Sequence, residues 1–356
     1  MKPSDLVRRA VAAVPAYRLV EETAAVKLNQ NESPWDVPPE VKEQIFARLG
    51  ARPWNRYAQE VPGRVAAKLA ELNDWPVEGV VLGSGSNLLL AAVAAAAVRE
   101  GQAVCAPRPG FALYRLLAGV ADARLTAIPF GPDFAYDPKA WCAAMASARP
   151  ALAFLCTPNN PTGSFMDRDG VRAVAAACPG VLVIDEAYRE FAGEDRRDVL
   201  GACEHVILSR TFSKAFSAAG IRLGYLLAHP GLAAEIRKLV PPFNIGILTA
   251  TAAEVLLERR DLFSGRVREL CAERERVQTA LGRMAGVRTF PSRANFFLVE
   301  TPYVAEALAA EMKARGILVR SGGDEELRHM VRVNVGTREE NDRFLAVIGE
   351  LMGGRP

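Results

Sequence analysis

Leu208-Ser209-Arg210-Thr211-Phe212-Ser213-Lys214-Ala215-Phe216, followed by Arg222, carries a lysine from an apolar run into a serine-flanked loop. Upstream, Val181-Leu182-Val183-Ile184-Asp185-Glu186-Ala187-Tyr188 ends a second apolar run on an aspartate. Similar runs precede them. Val80-Val81-Leu82 leads into Gly83-Ser84-Gly85-Ser86-Asn87, and Ala103-Val104-Cys105 into Pro107-Arg108-Pro109-Gly110-Phe111. Residues 151–156 lead into Thr157-Pro158-Asn159-Asn160-Pro161-Thr162-Gly163. Short apolar runs alternating with helical patterns predict a mostly parallel sheet covered by helices. Each polar cluster then lies at the carboxyl end of a strand, where open α/β sheets hold their ligands.

After about residue 248 the pattern changes. A long, charged helical region covers residues 254–284, and two further strands are expected at residues 295–299 and 331–335, flanking a helix. The predicted organisation is an N-terminal arm (1–30), a large domain (31–247) and a smaller α+β C-terminal domain (248–356), joined near Pro241-Pro242-Phe243-Asn244.

Bulk properties narrow the function classes. A chain of 356 residues can bury a substantial core, and 50% hydrophobic with 24% charged residues excludes a disordered or fibrous chain. A net charge of +3 on this length gives no electrostatic reason to expect nucleic acid or an anionic membrane as partner. The six cysteines include no CxxC pair and there are three histidines, so no metal site is expected and reduced thiols in the cytoplasm are. The alanine-rich stretch 88–98 is too short to cross a bilayer, and no signal peptide is read at the start.

The individual groups each have a plain reading and a chemical one. The loop 83–87 opens a helix, so its backbone N–H groups and the helix dipole suit a phosphate, although glycine-rich turns are also ordinary structure. Asp185 reads as a helix cap or an acid at a site, and Lys214 as a solvated lysine or a nucleophile. Asn159-Asn160-Pro161-Thr162-Gly163 reads as a turn, or as a source of an amide donor to a phenolate. Phe111 suits a core or the face of a flat ligand. Arg332, between Val331 and Val333 in an alternating strand, needs an anionic partner: a carboxylate of its own domain or a substrate. One ligand satisfies all of the loops. Pyridoxal phosphate requires a lysine for a Schiff base and a carboxylate beside its pyridine nitrogen.

These stretches, with Lys27-Leu28-Asn29-Gln30-Asn31-Glu32, Asn55-Arg56-Tyr57, Arg222-Leu223-Gly224-Tyr225 and residues 331–337, resemble the fold-type I pyridoxal-phosphate aminotransferases of class I and II. Within that group they are most similar to the histidinol-phosphate aminotransferases. The resemblance implies an α/β fold with a mostly parallel seven-stranded sheet and a homodimer with shared active sites. It implies Lys214 as the cofactor-bonding, proton-moving lysine and Asp185 at the pyridine nitrogen, with Asn160 and Tyr188 on the ring oxygen and Phe111 on the ring face. Gly85, Ser86, Thr211, Ser213 and Arg222 would hold the phosphate, with Tyr57 reaching in from a partner subunit. Arg332, Arg320, Asn31 and Tyr17 would meet the substrates, L-histidinol phosphate and 2-oxoglutarate. An aromatic amino acid aminotransferase and a threonine-phosphate decarboxylase remain as alternatives on the same scaffold.

Overall fold

The computed structural model describes residues 3–15, 22–58 and 60–353. Its largest sheet has seven strands in the order Val80–Gly83, Gly224–Ala228, Val206–Thr211, Val181–Asp185, Leu152–Cys156, Ala103–Arg108, Arg124–Pro129. All run parallel except Gly224–Ala228, which is antiparallel to both neighbours. Strands Leu152–Cys156 and Val206–Thr211 are buried at every position, and Val181–Asp185 at all but its first, which is why they appear in the sequence as largely apolar runs. Period-two alternation divides them between two cores. Ala153, Leu155, Leu182, Ile184, Val206 and Leu208 point to one, while Leu152, Phe154, Cys156, Val183 and Ile207 point to the other.

A second, antiparallel sheet runs Arg320–Ser321, Met330–Asn334, Phe296–Glu300, Arg288–Thr289. Val26–Lys27 pairs in parallel with Ile317–Leu318 nearby. Helices Arg260–Leu281, Ala305–Ala314 and Arg338–Gly353 cover this part with Leu270, Val277, Leu308, Met312, Phe344 and Ile348. The charged region expected as one helix is two, Ile247–Glu258 and Arg260–Leu281, which break at Arg259. The first packs its Ala250, Ala253 and Leu256 into the core of the large sheet.

The two bodies meet where the polar loops gather. Tyr188 and Ala215, from loops of the large sheet, belong to the core of the small one. Tyr188 meets Phe296 edge-on at 4.9 Å. Among the described residues no helix is long and apolar enough to cross a membrane, and no group of three or more His, Cys, Asp or Glu side chains could hold a metal.

Candidate active site

The polar loops line one cleft of roughly 760 Å³. In-register pairing of Cys156, Asp185 and Ser209 aligns the ends of three parallel strands. The antiparallel strand completes the edge from the other direction. Gly224, its first residue, pairs with Thr211 and Gly83, so Arg222 arrives beside loops that follow strand ends.

There the donors converge. Thr211 Oγ1 bonds Ser213 Oγ at 3.0 Å, and Arg222 Nη1 donates to Ser213 Oγ at 3.5 Å and Ala219 O at 2.8 Å. Arg222 adopts a left-handed φ of 58°. Gly85, at φ 85°, precedes helix Ser86–Ala97, and a Cβ there would strike the Arg222 guanidinium. A Cβ on Gly224 would strike the Ser86 backbone nitrogen. Both positions therefore require glycine. Hydroxyls, a guanidinium and the free N–H groups of a helix start form a cup with the chemistry to take a phosphate dianion.

Lys214 is half-buried, with Nζ donating to Gln30 O at 3.1 Å. Burial, then the charge of Arg332, lowers its amine to about 8, with Arg222 and Lys27 acting in the same sense and Glu32 opposing them. Asp185 is buried. Its Oδ2 accepts from Tyr114 Oη at 2.7 Å and its Oδ1 from Ala187 N–H at 3.1 Å. Burial raises its carboxyl to about 6 against those two bonds, and no cation among the described residues offsets it. A buried carboxylate lacking a cation is costly. A protonated ring nitrogen bound in the cleft would supply one.

Tyr188 Oη accepts from Asn31 Nδ2 at 2.9 Å, and burial raises its phenol well above the usual range. The hydroxyl hydrogen thus stays available to donate. Arg332 donates from Nη1 to Asn160 Oδ1 at 2.6 Å and from Nη2 to Asn29 O at 2.7 Å, above the Phe296 ring. Asn160 is thereby oriented with its amide nitrogen as the free donor end. Arg320 pairs in register with Arg332 on the adjacent strand, and both line the cleft with Phe111.

Of the residues expected at the site, Lys214, Asp185, Tyr188, Asn160, Phe111, Ser86, Thr211, Ser213, Arg222, Asn31, Arg320 and Arg332 are brought together. Gly85 lies behind Arg222. Tyr57 is not at its own chain's cleft. It is 76% exposed and stacks on Phe243 at 4.1 Å. Tyr17 lies outside the described residues. Sequence reading missed Tyr114, whose position one helical turn after Phe111 was a usable signal. It also missed the ion pairs Arg108–Glu326 and Arg115–Asp324, both 3.3 Å, at the mouth of the cleft.

Residues 23–348 match the family Aminotransferase class I and II. The chain belongs to that family. It is 37% identical to histidinol-phosphate aminotransferase of Chromobacterium violaceum, over 97% of each chain. It is 38% identical to the enzyme of that name from Deinococcus radiodurans, over 96% of this chain and 95% of that one. Among solved structures it resembles histidinol-phosphate aminotransferase from Sinorhizobium meliloti in complex with pyridoxal-5'-phosphate. The TM-score is 0.89 at 26% identity, covering 98% of both chains.

Proposed function

We propose that this aminotransferase depends on pyridoxal 5'-phosphate and moves an amino group between L-histidinol phosphate and 2-oxoglutarate. The carrying observation is the buried, cation-free Asp185 sharing a cleft with a lysine of lowered pKa and a phosphate-shaped cup. The names of the relatives give the substrate.

The residues fit the cofactor. Ser86, Thr211, Ser213 and Arg222, on the backbone allowed by Gly85, would hold its phosphate; Asp185 would meet the ring nitrogen; Asn160 and Tyr188 would donate to the ring oxygen; Phe111 would cover a face. When bound, the cofactor supplies a ring that accepts the electron pair freed at the substrate's α carbon. Lys214 Nζ would bond the cofactor in the resting enzyme and, once released, would take up and return the proton of that α carbon. Its lowered pKa keeps a share of it neutral and nucleophilic near neutral pH. Arg332, assisted by Arg320, binds the substrate's phosphate in one half-reaction and a carboxylate in the other, with Asn31 beside them.

The chain acts as a cytoplasmic homodimer whose sites are shared. Its six cysteines are unpaired, as in compartments that keep thiols reduced. The exposure of Phe46, Trp54 and Tyr57 suits burial by a second copy, which would carry Tyr57 to the partner's phosphate cup. The large domain is taken as residues 31–247 and the small one as 248–356, after an arm of residues 1–30; helix Ile247–Glu258 begins the second unit in sequence while its buried face packs on the first.

The test mixes cofactor-loaded enzyme with candidate donors and follows the visible cofactor band. The highest kcat/KM should be for histidinol phosphate. A higher value for phenylalanine or tyrosine would replace this reading with an aromatic aminotransferase. Release of carbon dioxide from threonine phosphate would replace it with a decarboxylase.

A further inference from the structure

Tyr114 lies on helix Ala112–Val120, one turn after Phe111, and is 1% exposed. Its ring stacks on Phe154 at 4.5 Å and 12°, and meets the Phe111 ring edge-on at 5.6 Å and 90°. Its hydroxyl donates to Asp185 Oδ2 at 2.7 Å. One side chain thus touches both the carboxylate under the cleft and the aromatic ring that lines it.

The other titratable groups facing Asp185 are committed elsewhere. Tyr136 Oη donates to Cys156 O, and the Cys156 thiol donates to Pro158 O at 3.3 Å. Tyr188 Oη accepts from Asn31. Glu186, the next residue in the chain, is held by Arg210 at 2.7 Å. The bond from Tyr114 is the one side-chain hydrogen bond to Asp185 found among the described residues.

We propose that Tyr114 is a positioning residue for the reaction: its hydroxyl keeps the Asp185 carboxylate ionised and oriented toward the cofactor's ring nitrogen, while its ring sets the attitude of Phe111. The inference rests on the reading of the cleft as a pyridoxal-phosphate site. Two titration tendencies agree with the geometry. Burial holds the Tyr114 phenol well above its ordinary value, so it remains a donor throughout the working range. Burial also raises the Asp185 carboxyl to about 6, and the Tyr114 bond is the largest influence opposing that rise. Without it the carboxyl would take up its proton close to neutrality, and a neutral carboxyl cannot stabilise a protonated ring nitrogen.

Tyr114→Phe removes the donor and keeps the ring. Titrating the Asp185 carboxyl band by infrared spectroscopy of the cofactor-free full chain, assigned by its loss in Asp185→Asn, reads the effect directly. The midpoint should rise from about 6 in the wild type. The rise should be about one to two pH units, as expected for losing a hydrogen bond to a charged group. The acid limb of cofactor capture, followed by tryptophan fluorescence, should move with it. Kcat should fall while KM for the amino donor stays near wild type. A purely structural role would lower the melting temperature and leave the midpoint in place. Replacing Tyr114 with 3,5-difluorotyrosine, a stronger donor of nearly the same shape, should move the midpoint down, and decides the matter if Tyr114→Phe does not fold. Unchanged midpoints with wild-type capture intact overturn this inference alone. A wild type that captures no pyridoxal phosphate, or that borohydride labels away from Lys214, overturns the cofactor reading and the inference with it.

Discussion

Lys214 illustrates how surroundings turn an ordinary side chain into a reagent. A solvated lysine titrates near 10.4, whereas burial and three neighbouring cations bring this one to about 8. A lowered pKa enlarges the neutral fraction at any pH below it. The rate of covalent cofactor capture by the cofactor-free chain should therefore rise with pH to about 8 and then level, rather than climb toward 10; stopped-flow absorbance measures this. Lys214→Ala should abolish borohydride-stable attachment and single-turnover transamination while retaining some cofactor through the cup, and label on another lysine would refute the assignment. Arg332 is proposed to serve a different need, since both substrates would present an anion to one cofactor. Arg332→Ala should lower kcat/KM in both half-reactions by about 2–5 kcal/mol, the range for stripping one member of a buried charged contact. It also releases Asn160 Oδ1, so the cofactor's absorbance should shift before any substrate is added. Arg332→Lys should recover only part, because an ammonium lacks the two-pronged fork.

At the level of elements, the site depends on strand ends being held in register. Arg210, near the end of its strand, and Glu186, just past the end of the neighbouring one, are each 1% exposed and form an ion pair at 2.7 Å. Arg210 also bonds Asn73 Oδ1 and reaches Asp195 at 3.4 Å. Arg210 sits one residue before Thr211 of the cup, and Glu186 one residue after Asp185. Removing Glu186 leaves the buried Arg210 charge with only the longer contact to Asp195 at 3.4 Å, so Glu186→Ala should destabilise the chain by up to about 3–5 kcal/mol. For a chain of this size that is a fall in Tm on the order of 10 °C, readable by thermal unfolding. Replacing both residues with leucine should cost less than Glu186→Ala alone. A single change that leaves Tm in place would remove the pair from any structural role. Much of this arrangement was legible in sequence. Strands buried on both faces appear as largely apolar runs, and the polar clusters after them marked the cleft. Two strands of the large sheet escaped that reading for physical reasons. Arg124–Pro129 is an edge strand, partly or fully exposed at all positions but Ile128. Gly224–Ala228 directly follows Arg222 and Leu223, where motif residues masked its start. Its antiparallel direction, which returns Arg222 to the site, is set by pairing and not by any local pattern. Tyr114 was overlooked because a tyrosine within an apolar helix reads as core. Its spacing from Phe111 hinted at the cleft, and the position of its hydroxyl against Asp185 distinguishes it.

For the whole molecule, the decisive residue is one that a single chain leaves idle. Tyr57 is matched by its sequence context to the phosphate cup, yet it lies exposed against Phe243, outside the cleft of its own chain. On the proposed reading the groups it would complete belong to a second copy, so no contact within one chain can place it there. In a twofold-symmetric dimer each Tyr57 would serve the opposite site, so lesions in Tyr57 and Lys214 should complement. A chain carrying Tyr57→Ala, mixed with one carrying Lys214→Ala, forms heterodimers in which one site holds both lesions and the other holds neither. Half of the dimers are mixed at random assortment, so activity should recover to about a quarter of wild type, above that of either parent. Lesions within one chain's own site would instead leave every heterodimer with two damaged sites. Activity no greater than the average of the parents, with heterodimers demonstrated by native mass spectrometry, would place Tyr57 outside the partner's active site and leave the shared-site proposal without its residue.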